Sequence, residues 1–387
     1  MTGARIVLGN NSLAKYPDGG GHWTWFLQIA LGLVDLGHDV QVLESLLSSG
    51  DEHQDRRRIE IFFNRMGNYG LRERCALLLY PKTLDVQEIE TAREFGKSRS
   101  EILELIRDAD LLWNLACSVR EPMLSRFKRR VLIDVDPGHL QISALTWEMD
   151  IGAHQALLSV GRKLHDPDCG VPTLGFKWQG FSPFVYLPMW DAKPDPGRAA
   201  PFSSVTHWTW EELPFEGRLI SVSKRSAYLR YAELPKRARR RFDLAAYIIA
   251  DDQTGDRELL EANGWTVLDP WRVVGTPEDY REFIAGSRAE IQCPKPAYRE
   301  LKTGWFSDRS ACYLASGRPV LAEETGFREF LPIGEGLLSF SNMEEALAGV
   351  AEIDANYARH SRAARQIAEQ HLDSRRWLPA MLAASGL

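Results

Sequence analysis

The chain has 387 residues, long enough for two domains at about 100–200 residues each, with one large α/β barrel as the competitor and a small stapled scaffold excluded. Hydrophobic residues make up 44% and charged residues 26%, so sizeable cores can be buried and disorder is not required. The 47 Lys and Arg fall below the 53 Asp and Glu, and with a net charge of −6 no nucleic-acid partner is expected.

The N-terminus Met1-Thr2-Gly3-Ala4-Arg5 runs straight into a strand-like Ile6-Val7-Leu8 without a signal-peptide profile. No stretch reaches the ~18 apolar residues of a membrane span, so a cytoplasmic protein without an integral membrane segment is expected. The next elements read as a βαβ start: strand 5–9, a Gly-rich loop over 10–22, helix 23–36 stopped by Gly37, and an alternating strand 38–44. Helical patterns follow at 52–66 and 98–107, then buried-strand candidates at 111–115 and 130–134. From about Gly170 to Pro201 the chain turns rich in Pro, Gly and aromatics and loses helical period, which marks an interdomain linker.

A second α/β pattern opens at Arg218-Leu219-Ile220-Ser221-Val222. It alternates through helix 256–263, strand 265–268, helix 277–287, strand 289–292, helix 308–315, strands 319–322 and 336–340, and helices 343–353 and 357–371. The expected fold class is α/β: two doubly wound Rossmann-like domains with parallel sheets facing a central cleft. The run Lys236-Arg237-Ala238-Arg239-Arg240-Arg241 reads as a solvated helix face or helix end. The five cysteines lack any C-x-x-C and read as reduced thiols.

Two constellations carry chemistry. Gly19-Gly20-Gly21-His22-Trp23 opens the first long helix, where glycines let a ligand approach the backbone and the helix end presents free N–H groups. Its spacing departs from a dinucleotide loop, for which Glu44 would supply the acid. His22 can take a proton from an attacking hydroxyl, or it is a capping or packing histidine. Asp134 and Asp136 end a strand in the same half and can orient His22, or hold the Pro137-Gly138 turn. As a D-x-D pair they also match a metal-binding pattern, but no metal or other cofactor is expected. His165-Asp166-Pro167-Asp168-Cys169 reads as a loop.

The second constellation is Lys302-Thr303-Gly304-Trp305-Phe306-Ser307-Asp308-Arg309. Ser307 is a natural N-cap, and Lys302 and Arg309 flank a helix start suited to a diphosphate. With Asp308 facing solvent or a cation, Gly304, Ser307, Asp308 and Arg309 form the expected phosphate cradle with Lys302. The loop Asp269-Pro270-Trp271-Arg272-Val273-Val274-Gly275 follows a strand in the same half.

Gly19–His22, Gly304-Trp305-x-Ser307, Gly317-Arg318-Pro319-Val320, Glu324-Thr325-Gly326-Phe327 and Gly334-Glu335-Gly336-Leu337-Leu338 together resemble GT-B-type nucleotide-sugar glycosyltransferases over nearly the whole chain. The resemblance implies an acceptor domain at 1–195, a donor domain at 196–373, and a last helix within 374–387 that packs back on the first. It implies His22 as base with Asp136, less certainly Asp134, as its orienting acid. It places a nucleobase at Trp271, Arg272, Val273 and Val274, and the acceptor and sugar near Gly20, Gly21, Trp23 and Glu324. Lys302 stands where that family's phosphate-binding histidine is found. The implied function is metal-independent transfer of a hexosyl or deoxysugar from a nucleoside-diphosphate sugar such as a UDP-sugar to a small-molecule acceptor, inverting favoured, by a monomer or homodimer. A GT-B-fold epimerase and a non-catalytic GT-B partner subunit are the alternatives.

Overall fold

The computed structural model describes residues 3–83, 86–248 and 254–387. Strands β1 (Arg5–Asn10), β2 (Asp39–Leu47), β3 (Cys75–Tyr80), β4 (Arg93–Phe95), β5 (Leu111–Leu115), β6 (Arg130–Asp134), β7 (Ala156–Ser159) and β8 (Trp178–Gly180) build one sheet. Their order is 4-3-2-1-5-6-7-8, and only β4 runs antiparallel to its neighbour. β5 buries all five of its residues because helices cover both faces, which is why it reads as a continuous apolar run. One face carries helices Gly20–Asp35 and Glu52–Asn68, packed through Trp23, Phe26 and Phe62. The other carries Arg99–Asp108, whose start is fixed by a Ser98/Glu101 capping box.

The second half contributes β9 (Phe202–Thr206), β10 (Glu212–Phe215), β11 (Arg218–Ser221), β12 (Phe242–Ala246), β13 (Trp265–Leu268), β14 (Ala289–Gln292), β15 (Val320–Glu323) and β16 (Leu337–Phe340). Six of them form a parallel sheet in the order 13-12-9-14-15-16. The strand expected to open this half, at 218–222, is not part of it. β10 and β11 pair as an antiparallel hairpin, and the sheet starts from the central β9. That strand escapes a periodicity reading because Phe202, Ser203, Ser204 and Thr206 are all buried, so no polar and apolar alternation marks it. β8 likewise lies inside the stretch read as linker and pairs parallel with β7.

The sheets change direction between β1 and β5 and between β9 and β14, and such switch points open crevices at the strand carboxyl ends. Three devices bring the crevices together. Trp190, in the linker, donates to Gln28 Oε1 at 2.7 Å, while the buried Arg318 guanidinium donates to the Lys193 and Pro194 carbonyls. Helix Ser374–Ala384 returns to the first half, where Leu378, Met381 and Leu382 join the core and Ser385 Oγ accepts from Trp113 Nε1 at 2.9 Å. The β10–β11 hairpin reaches across to pack Leu213, Phe215 and Ile220 with Leu140, Ile151 and Trp178. Among the described residues no helix is long and apolar enough to cross a membrane.

The basic run divides among ion pairs: Arg237 with Glu344, Arg240 with Asp354 and Arg241 with Asp243. His165 accepts from the Trp178 N–H, and Asp166 and Asp168 pair with Lys163 in the loop anticipated there.

Candidate active site in the cleft between the sheets

The loop after β1 is shaped by Glu44, a buried carboxylate that accepts from Asn10 Nδ2 at 2.8 Å and Ala14 N at 2.9 Å. Burial pushes its carboxyl up to about 7. The acid considered for a dinucleotide ribose is thus an internal brace. The loop delivers Tyr16, whose ring stacks on His22 with centroids 5.2 Å apart. His22 is solvent-exposed at the helix start, with the Tyr16 ring covering one face of the imidazole and removing part of its hydration. This desolvation lowers its pKa below the ordinary 6.5, Asp308 opposes the shift, and His207 and Lys15 reinforce it.

The expected His22–Asp136 pair does not form. Asp136 instead accepts from Lys295 Nζ, the Tyr298 hydroxyl and His139 Nδ1, two of the three from the other half of the chain. Burial alone would raise its carboxyl, but Lys295 and His139 outweigh that and hold it well below the usual carboxylate range. Asp134 is buried and accepts from Ser159 Oγ at 2.7 Å, Gln141 Nε2 at 2.9 Å and the Asp136 N–H. Asp134 organises its own strand end and Asp136 ties the halves together. Asp308, across the cleft, is the carboxylate that acts on His22.

The glycines before His22 are packed by protein. Gly20 N donates to the Val274 carbonyl at 3.1 Å, and a Cβ on Gly20 would lie 2.3 Å from Thr276 O. A Cβ on Gly21 would lie 3.4 Å from the Tyr280 ring. Trp23, expected near the acceptor, is fully buried in the first core with the Arg65 guanidinium 4.7 Å from its ring centre. Glu324 folds onto its own turn, accepting from the Thr325 and Gly326 N–H groups.

The second helix start is open. Ser307 has extended cap geometry, yet its hydroxyl makes no capping bond to helix Asp308–Ala315. The cations expected beside it lie elsewhere. Arg309 turns into the domain, donating to Glu290 Oε1 and the Val205 carbonyl at 2.5 Å each. Lys302 is exposed, with its ammonium 3.5 Å from Asp168. Gly304, at φ +70°, packs against Lys163, where a Cβ would meet the Lys163 side chain at 2.7 Å. The sequence reading missed Lys224, which lies 5.6 Å over the Trp305 ring and has no ion-pair partner among the described residues. Burial lowers its pKa to about 7, with Arg309 and Lys295 adding to the effect and Asp308 opposing it. No motif marks it, and β11 before it belongs to the antiparallel hairpin and not the parallel sheet, so its strand end gave no signal.

In the expected nucleobase loop, Asp269 caps the short helix Pro270–Val273. Trp271 is exposed and leans on Tyr247, with centroids 5.9 Å apart. Arg272 pairs with Asp269 at 3.5 Å, and Val274 is buried with its carbonyl already engaged by Gly20. Among the described residues no group of three or more His, Cys, Asp or Glu gathers as a metal site.

No protein-family profile and no curated protein matches the chain. Solved structures do. An alpha-glucosyltransferase in complex with UDP and a 13-mer DNA superposes with a TM-score of 0.61 at 12% identity over 100% of both chains. HepE from Anabaena, in complex with UDP-glucose, gives 0.61 at 12% identity over 99% of this chain and 100% of that one. Sucrose-phosphate synthase from Thermosynechococcus elongatus gives 0.54 at 10% identity over 98% and 97%. The chain has the GT-B fold. The comparison also corrects the exclusion of nucleic acid drawn from net charge: this GT-B fold accommodates a DNA duplex in the alpha-glucosyltransferase complex. Net charge averages over a surface, whereas a polyanion is held by a local site.

Proposed function

We propose that this GT-B chain is a glycosyltransferase that moves a sugar from a UDP-sugar to an acceptor hydroxyl. The observation that carries the reading is the helix start at Ser307, which has no side-chain cap, with the Lys224 ammonium, without an ion-pair partner among the described residues, in electrostatic reach of Asp308 and Arg309, and with Asp308 acting on His22. Free N–H groups, a positive helix end and a cation held among other cations together call for a multivalent anion. The bound ligands named for the similar structures, UDP and UDP-glucose, are diphosphates of the right kind.

In this mechanism Lys224, the Ser307 hydroxyl and the amides of Asp308 and Arg309 stabilise charge as it grows on the departing diphosphate, so they act more on rate than on ground-state binding. His22, kept neutral near pH 7 by desolvation, takes the acceptor proton as the new bond forms. Asp308 supports the imidazolium that results. The Trp271–Tyr247 pair offers a stacking surface for the base, with the Arg272 and Val273 backbone beside it.

Inversion follows from direct attack assisted by His22. Retention is favoured by one observation, the name alpha-glucosyltransferase, since an α-linked donor that gives an α product keeps its configuration. Proton NMR of the product anomer decides between them.

The test is a thermal-shift panel of nucleoside diphosphates and their sugars, followed by UDP release with small molecules, oligosaccharides and duplex DNA as acceptors. A ligand at 100 times its Kd adds about 2.7 kcal/mol to stability. No response to any nucleotide overturns the proposal. Stabilisation without turnover assigns a non-catalytic partner, and interconversion of the free sugar nucleotide assigns an epimerase.

A further inference from the structure

The loop between β9 and β10 holds a group the transfer mechanism does not use. Trp210 is 45% exposed although three contacts hold it in place. Its backbone N–H donates to Ser223 Oγ at 3.1 Å, the His207 ring meets the indole at 88° with centroids 4.9 Å apart, and the His139 ring meets it at 79° and 6.4 Å. His207 acts electrostatically on His22, and the Trp210 ring packs on His207.

The rim of the ring is polar. His139 Nε2 lies 3.0 Å from Glu211 Oε1 and its Nδ1 lies 3.1 Å from Asp136 Oδ2, so a carboxylate and an imidazole border the indole. A braced, flat apolar face with hydrogen-bonding groups at its edge matches a sugar ring, which offers one apolar C–H face and hydroxyls around its perimeter. The exposed Glu211 carboxylate keeps lone pairs for the hydroxyl donors that a sugar carries around its edge. The other two exposed tryptophans differ: Trp271 leans on Tyr247, and Trp147 shows no comparable ring contacts among the described residues.

We propose that Trp210 is the acceptor platform and that the acceptor is a carbohydrate, stacked on the indole with a hydroxyl directed at His22. The proposal rests on the reading of this cleft as a sugar-transfer site. It gives the β10–β11 strap a double role, since Trp210 precedes the hairpin and Lys224 follows it: one element presents a surface to each substrate.

The experiment titrates UDP-saturated protein with methyl glycosides of glucose, galactose, mannose and rhamnose, and with 4-nitrophenol as the aromatic arm, followed by saturation-transfer NMR. At least one glycoside should bind the unaltered protein. Trp210→Ala and Trp210→Leu should weaken it about tenfold, Trp210→Tyr should recover most of the loss, and Trp147→Ala should change nothing. Because Leu keeps apolar bulk, a shared loss in Ala and Leu reports the flat face and not a folding defect. Equal binding by the Trp210 variants overturns the platform, and binding of 4-nitrophenol alone overturns the carbohydrate assignment. UDP stabilisation with no glycoside bound overturns this inference and leaves the proposed function standing. Absence of UDP stabilisation fails the proposed function itself.

Discussion

Two helices begin at the cleft with glycine nearby, Gly20–Asp35 in the first half and Asp308–Ala315 in the second, and they meet opposite fates. The first is filled: Val274 O takes the Gly20 N–H, and Thr276 leaves no room for a side chain there. The second has no side-chain cap, and the Lys224 ammonium, which has no ion-pair partner among the described residues, acts electrostatically on its Asp308 and Arg309. A helix start is an anion site only when the protein leaves its donors unspent. The filled start therefore joins the two halves where His22 sits, and the open one is the place proposed for the diphosphate.

The sharpest way to break this comparison is His22→Ala, which should lower transfer by roughly 100-fold or more with UDP affinity nearly unchanged. Wild-type turnover in that variant would make the first helix start purely structural. Lys224→Ala should weaken UDP-sugar use by about 1.5–3 kcal/mol, the range of a charged hydrogen bond, whereas Lys302→Ala should stay within the ~0–1 kcal/mol of a surface pair. Matching kcat and UDP Kd in the two lysine variants would relocate the anion site.

Gly20→Ala should cost about 1–3 kcal/mol, because the added methyl meets backbone oxygens that cannot swing away. Differential scanning calorimetry checks it, and an unchanged Tm would mean the joint is loose. Ser307→Ala, by contrast, removes no capping bond from the free protein, so its effect of about 1 kcal/mol should appear only in the UDP-bound state.

The smallest effects lie in protons. Lys224 is lowered to about 7 in the free protein, and an incoming diphosphate favours its charged form, so UDP binding at pH 8 should take up a proton. Calorimetry in buffers of different ionisation heat reads this, and no uptake would separate Lys224 from the ligand. His22 is lowered below 6.5, so the acid limb of kcat/KM should lie below that value, while loss of the Lys224 charge above about pH 7 should lower kcat/KM on the alkaline side. Asp308 raises the His22 pKa, so Asp308→Asn should move that acid limb to still lower pH. An unmoved limb would remove Asp308 from the base.

Much of the architecture was legible. Strands at Leu111–Leu115 and Arg130–Asp134 and the helix after Ser98 appear where apolar runs and a helical pattern placed them. β9 was not legible, since a central parallel strand is covered on both faces and carries no alternation. In the site, Ser307 and His22 were recognisable from local chemistry, but their partners were not. Asp136 looked like the companion of His22 because both end elements of one half, yet its ligands Lys295 and Tyr298 come from the other.

The sequence by itself determined two α/β halves, the helix starts and the residue types at the cleft, because burial periodicity and capping are properties of neighbouring residues. Only the tertiary structure decided that Arg309 turns inward to Glu290, that Gly20 is spent on Val274, and that Lys224 has no ion-pair partner among the described residues. Each of those outcomes depends on contacts with distant chain segments, and no local pattern encodes which segment arrives.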